Sequence, residues 1–187
     1  MKNKKILYIG NNLTQKTKYN STLIVLAKLL ENEGYLVSIS SDKINKVVRL
    51  IDMILSFFKN FRKVDYILID TFSTSNFYYA FIISQLSRIF RIKYIPILHG
   101  GNLPVRLTKT PKLSEMIFKN SYKNVAPSNY LKSAFKEKKI NSEFIPNIID
   151  FNSYKYIERF NIQPKLLWVR SFKYLYNPTL AVKVLIA

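Results

Sequence analysis

The chain has 187 residues, 48% of them hydrophobic and 22% charged, enough to bury a substantial core and too apolar for general disorder. It has no cysteine, which excludes disulfides and Cys-ligated zinc and fits a reducing compartment. The net charge of +19, from 30 Lys and Arg against 11 Asp and Glu, favours polyanionic partners such as nucleic acid, lipid headgroups or phosphate-bearing substrates. A composition rich in Lys, Asn, Ile, Tyr and Phe can also carry that charge with no functional demand behind it.

In chain order, Lys5–Gly10 reads as a buried strand ending at a glycine. After a polar loop, Asn20 to Thr22 offer caps for a helix carrying Leu23, Leu26, Ala27 and Leu30, which Gly34 ends. Tyr35–Ser40 is a second strand. Asp42 is placed to cap a long helix with Ile44, Val47, Val48, Ile51, Ile54, Leu55 and Phe58 as its apolar stripe. Val64–Asp70 is a third strand, and an aromatic helix follows from about Phe77 to Phe90. Tyr94–Leu98 is a fourth strand ending in His99-Gly100-Gly101, with Pro96 a mild objection because it lacks the ladder N–H. A loop runs to about Pro111, then a short helix from Lys112 to Asn120. Lys123–Ala126 is a fifth strand, Ser128 caps a helix from Asn129 to Lys138, and Ser142–Ile145 is a short sixth strand. Strands alternate with helices, and most strands are continuous apolar runs. The expected class is therefore α/β, a doubly wound, mainly parallel Rossmann-like sheet.

In such a sheet, ligands sit beyond the carboxyl ends of the strands. The residues there are Gly10-Asn11-Asn12, Ser41-Asp42, Asp70-Thr71-Phe72-Ser73, His99-Gly100-Gly101-Asn102 and Pro127-Ser128-Asn129. His99 is the sole histidine and two of the four glycines follow it, which opens the backbone to close approach by a ligand. A single glycine at position 10 is not a dinucleotide fingerprint, and neither a Walker pattern nor a nucleophile elbow occurs. A metal cluster is not expected either.

Beyond Phe144, Pro146 and Asn147 break the pattern and the chain turns irregular to about Asn161. Pro164–Arg170 then reads as a new strand, and a helix runs from Thr179 to Ala187. The expected domains are 1–146, a linker at 147–163, and an incomplete second α/β domain at 164–187, since one strand and one helix cannot form a domain alone.

Four places resemble the family 4 retaining glycosyltransferases of GT-B fold: the opening strand with Gly10, the Ile97–Gly101 strand end, the Asn124–Lys132 strand-to-helix junction, and the Glu143–Asp150 hinge. The resemblance implies two Rossmann-like domains, a nucleotide-diphosphate-sugar donor held mostly by the second, and a glycan or lipid-linked acceptor on the first. It implies a catalytic or polarising role for His99. It assigns donor contacts to Gly10, Asn11, Gly100, Gly101, Arg170 and Lys173, and acceptor contacts to Asn12, Asp70, Thr71, Ser73 and Asn102. The donor is a substrate; no cofactor and no metal are implied. Family members carry paired glutamates in the donor half, and their place falls beyond residue 187, so this chain by itself is expected to be inactive. The alternative expectation is a non-enzymatic basic module docking on anionic membrane or another polyanion. Its motive is Lys43, Lys46, Arg49, Lys59, Arg62 and Lys63 around the stripe of the second helix. Nucleic acid is the weaker partner, because the aromatics fall at core spacing. With no apolar run of about 18 residues, and no signal-peptide pattern after Met1–Lys5, the expected place is the cytoplasm; the resemblance adds the inner membrane face as an alternative peripheral site.

Overall fold

The computed structural model describes residues 4–12, 22–148, 156–158, 160, 167–169, 172 and 174–186. The chain divides into two compact units, 1–150 and 151–187. In the first, the elements run β1 (Lys5–Ile9), α1 (Thr22–Asn32), β2 (Leu36–Ser40), α2 (Lys46–Asn60), β3 (Tyr66–Phe72), α3 (Phe77–Ile89), β4 (Lys93–His99), α4 (Leu103–Lys109), α5 (Pro111–Phe118), β5 (Val125–Ala126), α6 (Asn129–Glu137) and β6 (Glu143–Phe144). The six strands form one sheet in the order β2-β1-β3-β4-β5-β6, and every ladder is parallel. This is a doubly wound α/β sheet. The chain steps outward from β1 to β2 and then back past β1 to β3, so the winding reverses between β1 and β3.

Strand alternation sorts the side chains onto two faces. On one, Leu7, Ile9, Ile67, Ile69 and Tyr94 pack with Met53 and Phe57 of α2 and Tyr79, Ala80 and Ile83 of α3. Further along that face, Leu98 and Ala126 meet Leu103, Leu107, Ile117, Phe118, Leu131 and Phe135 from α4, α5 and α6. On the other, Ile6, Tyr8, Leu68 and Ile97 pack with Leu23 and Ala27 of α1. Gly34 follows α1 at φ +88°, a conformation that a β-carbon would strain, which is why the helix ends there. Ser128 caps α6 as expected, its Oγ accepting the Leu131 N–H at 3.3 Å.

Three local expectations are corrected. The cap of α2 is Asn45, whose Oδ1 accepts from the N–H groups of Val47 (2.9 Å) and Val48 (3.3 Å), whereas Asp42 pairs with Lys43. The loop expected before Pro111 contains α4. Pro104 sits in its first turn, where the missing N–H costs nothing, and Leu103 and Leu107 are buried one turn apart. Arg49, expected on a solvated basic face, is buried, because the inward row of α2 is Arg49, Met53 and Phe57 at four-residue spacing.

Pro96 is accommodated within β4 opposite Ile69, beside a β5 that pairs with β4 only at Ile97. In the second unit, a 3-10 turn (Tyr174–Tyr176) precedes α7 (Pro178–Ile186). Of the strand expected at Pro164–Arg170, the described residues Leu167–Val169 are in neither strand nor helix, and the rest lie outside the described residues.

Phe57 stacks on Phe61, makes edge contact with Phe58 and lies 5.7 Å from the Phe90 ring. Phe57→Ala removes a fully buried ring from the α2 face, and urea denaturation should show a loss of about 3–5 kcal/mol.

Candidate functional site at the carboxyl ends of the strands

The reversal between β1 and β3 opens a crevice at their carboxyl ends, and Asp70 stands in it. Its carboxylate is almost fully buried. Oδ1 accepts the Tyr8 hydroxyl at 2.9 Å and lies 2.9 Å from His99 Nε2. Oδ2 lies so near Gly10 that a methyl group built there would overlap it and Leu23 Cδ1. The Asp70 carbonyl accepts the Tyr79 hydroxyl at 2.7 Å. A buried carboxylate needs such partners, since isolated burial of the charge costs several kcal/mol.

His99 closes β4 opposite Phe72, and the two rings stack at 4.8 Å and 17°. A carboxylate only accepts hydrogen bonds, so the Nε2 that faces Asp70 carries a proton, and in the neutral ring the lone pair is then on Nδ1. Among the described residues, the ring's one hydrogen bond is that to Asp70, so no hydroxyl nucleophile is engaged. Burial first, then the Asp70 carboxylate, hold the phenols of Tyr8 and Tyr79 far above the ordinary tyrosine range; burial does the same for Tyr94.

Around this centre the other strand ends fall unevenly. Gly10 exchanges backbone hydrogen bonds with β2: its N–H donates to Ser40 O at 2.7 Å and its carbonyl accepts from Ser41 at 2.9 Å. Asn11 Oδ1 accepts Arg49 Nη1 at 2.7 Å, while Arg49 also holds the carbonyls of Lys43 (2.6 Å) and Ile44 (2.7 Å). Asn12 donates its backbone N–H to Ser41 O, and its side-chain oxygen is buried with no hydrogen-bond partner among the described residues. Thr71 alternates to the opposite face, is fully buried, and donates to the Ile69 carbonyl at 3.1 Å. Ser73 presents its carbonyl to Arg106 Nε at 3.0 Å.

Gly100, Gly101 and Asn102 form the turn into α4. Gly100 has φ +84°, the Gly101 carbonyl accepts Tyr130 Oη–H at 3.2 Å, and Asn102 makes no side-chain cap. A methyl at either glycine would meet nothing within 4 Å, so protein packing does not require the pair. Arg170 and Lys173 lie outside the described residues. His99 and Asp70, assigned to different roles from the resemblance, are joined directly; Thr71 is not brought to them.

Tyr8, Tyr79 and Arg106 were not singled out from the sequence, and Arg49 was read only as part of the basic face of the second helix. For Arg49 a signal existed: it continues the Met53, Phe57 row at i−4, which a solvent-facing arginine would not do.

Between the sheet and α1 lies a mainly apolar cavity of about 240 Å³ with Tyr8, Leu26, Leu68, Ile97, His99 and Pro146 among its walls. A larger cavity, about 330 Å³, lies at the amino ends of β5 and β6, away from Asp70 and His99. Among the described residues no group of three His, Cys, Asp or Glu could hold a metal ion. No described helix is long and apolar enough to cross a membrane.

No family model matches the chain, and no curated protein matches it. A solved structure of a response regulator receiver domain protein from Clostridium thermocellum is similar at 15% identity and a TM-score of 0.41, covering 73% of this chain and 97% of that one. These findings correct the family expectation. The family 4 glycosyltransferase assignment, its nucleotide-sugar donor and its glycan or lipid-linked acceptor have no match behind them. The transferase vocabulary that came with the family falls with it, and the GT-B architecture is not confirmed. The alternative, a module docking on anionic membrane or another polyanion, gains no support from the comparisons either. What stands is the doubly wound parallel α/β fold.

Two outcomes test this geometry. Gly10→Ala should cost about 1–3 kcal/mol in urea unfolding, because the new methyl must displace the Asp70 carboxylate or Leu23. The tyrosines give the second. Their folded-state pKa values are raised, so the stability contributed by keeping the phenols neutral is fully present below the unfolded value of about 10 and is lost as pH rises above it. Of the 13 tyrosines, at least Tyr8, Tyr79 and Tyr94 should therefore show no phenolate absorbance at pH 11 in the folded chain, and should ionise together with alkaline unfolding.

Proposed function

We propose that this domain is a small-molecule binding module, taking a compact apolar body with an N–H or O–H donor into the cavity beneath α1. The observation that carries the reading is His99 in the cavity wall, held from behind by the buried Asp70. Asp70 is anchored by Tyr8 and cannot turn away. It therefore fixes both the tautomer and the tilt of the neutral His99 ring, and Nδ1, which makes no hydrogen bond among the described residues, becomes the acceptor for the ligand's donor. Most of the remaining wall, from Leu26, Leu30, Leu68, Ile95, Ile97 and Val125, is aliphatic and supplies burial without direction, with Thr22 and Asn147 as further polar groups. That division, many apolar contacts and few placed polar ones, is the usual anatomy of a ligand cleft, and the volume of about 240 Å³ falls below the roughly 300–1,000 Å³ of clefts for drug-sized ligands, which suits a smaller molecule. The position at the winding reversal is where doubly wound sheets bind ligands. With His99 engaged by no hydroxyl among the described residues, the geometry supports binding rather than acyl or group transfer.

Because His99 is the only histidine, the imidazole ¹⁵N spectrum reports one ring. In the neutral form it should show Nε2–H and an unprotonated Nδ1; an Nδ1–H tautomer removes the acceptor and ends this reading. Indole and phenol serve as probes. Either should give saturable amide shifts at Ile97, His99 and Val125, with dissociation constants of about 1 mM and a loss of at least about threefold in His99→Phe. Shifts unchanged by that substitution would place any binding elsewhere.

A further inference from the structure

The cavity beneath α1 has few ionisable groups in its wall. Among the described residues the wall holds no carboxylate, ammonium or guanidinium, and its ionisable side chains are His99 and Tyr8. Burial, then the Asp70 carboxylate, keeps the Tyr8 phenol neutral well into the alkaline range. That leaves His99 as the wall group that changes charge near neutral pH. Its surroundings are set element by element. β3 places Asp70 Oδ1 at 2.9 Å from Nε2, β1 brings the Tyr8 hydroxyl to the same oxygen, and α3 brings Tyr79 to the Asp70 carbonyl. Arg49 of α2 and Arg106 of α4 are tied to backbone carbonyls, and Tyr130 of α6 donates to the Gly101 carbonyl. α1 adds Thr22, Leu26 and Leu30 to the wall, none of which titrates.

A proton added to the ring goes to Nδ1, because Nε2 already donates to Asp70. No heavy atom has to move. The bond to Asp70 is kept and becomes charge-assisted on both sides, while the acceptor in the wall turns into a donor. The preference of the site then inverts. The neutral ring takes a ligand N–H or O–H; the protonated ring has no lone pair left and takes an acceptor, best an anion. A carboxylate cannot enter against the neutral ring, since no other wall group would pair with it and burying it unpaired is costly. We infer, resting on the donor-accepting site proposed for the neutral ring, that the same cavity also takes compact apolar carboxylates, each entering together with one proton. That proton sits between Nδ1 and a carboxylate oxygen, and no covalent bond forms or breaks. Because the two ligand classes bind opposite protonation states, each favours its own state of His99, and their affinities run in opposite directions with pH.

The test titrates indole and benzoate, probes of similar size, into the full ¹⁵N-labelled chain at about pH 5 and about pH 9, a range in which histidine ordinarily changes charge while Lys and Arg keep theirs. Both probes should move the amides of Ile97, His99 and Val125. The ratio of benzoate to indole affinity should be at least about tenfold higher at the lower pH. Benzoate held only by surface lysines would show no such change. His99→Gln, whose amide both donates and accepts but does not titrate, should lose the pH dependence for both probes; the wild-type titrations decide the matter even where that variant does not fold. Benzoate that does not bind, or that gains nothing on indole at the lower pH, would overturn the inference while indole binding at about pH 9 leaves the underlying site intact. Indole that binds at neither pH, or an Nδ1–H tautomer of the neutral ring, would end that site and this inference with it.

Discussion

The buried carboxylate of Asp70 is the constraint around which the carboxyl edge of this sheet is arranged. A charge placed there must be hydrogen-bonded, and the fold brings the partners from three different strands and helices. β1 supplies Tyr8, β4 supplies His99, and α3 supplies Tyr79 to the backbone carbonyl of the same residue. The strand register makes this possible: Tyr8 pairs with Leu68, two residues before Asp70 on the same face, and His99 pairs with Phe72, two residues after it. Gly10 completes the arrangement by lacking a side chain where the carboxylate lies. Each partner is held by an element that also contributes to the core, so the imidazole is aimed by the packed sheet rather than by a loop.

That aim has a chemical consequence. A histidine facing only solvent samples both tautomers and a range of ring orientations. Here the carboxylate selects one tautomer, and stacking on Phe72 restricts the ring plane. The price is a desolvated acid in the sheet, and Tyr8 offsets part of it by donating to the same oxygen. Burial and the nearby carboxylate raise the phenol pKa values of Tyr8 and Tyr79, so both donors stay protonated well into the alkaline range.

How much of this was legible in the residues depends on the length scale. Apolar runs such as Leu7–Ile9 and Ile67–Ile69 mark buried strands without any tertiary information, and alternation with helices implies a parallel sheet. The strand-end rule then collects Gly10, Asp70 and His99 into one list. It cannot say that Asp70 touches His99 while its neighbour Thr71 turns away, because that depends on register between strands about thirty residues apart. A resemblance built on short segments such as Ile97–Gly101 supplied roles for those residues, but turns that end strands in any doubly wound sheet share small and polar residues for the same steric reasons. Four such segments can therefore look like a family without belonging to it. α4 was missed because seven residues with a single Leu103, Leu107 pair give too little periodicity to distinguish a helix from a loop.

α2 shows the same limit from the other side. Its stripe of apolar residues is too wide to face one way, and periodicity alone does not decide which part turns inward. The deciding residue is Arg49. Its guanidinium reaches the carbonyls of Lys43 and Ile44 and the side chain of Asn11, and those three bonds rotate the helix so that Met53 and Phe57 follow it into the core. With that rotation set, Val48, Ile51, Leu55 and Phe58 have nowhere to go but outward. A buried cation that links the β1 loop to the start of α2 thus determines both which residues fill the core and which are left on the surface. Asn11 follows Gly10, whose missing side chain makes room for the Asp70 carboxylate, so the rotation of α2 and the inner site both depend on the same short stretch after β1.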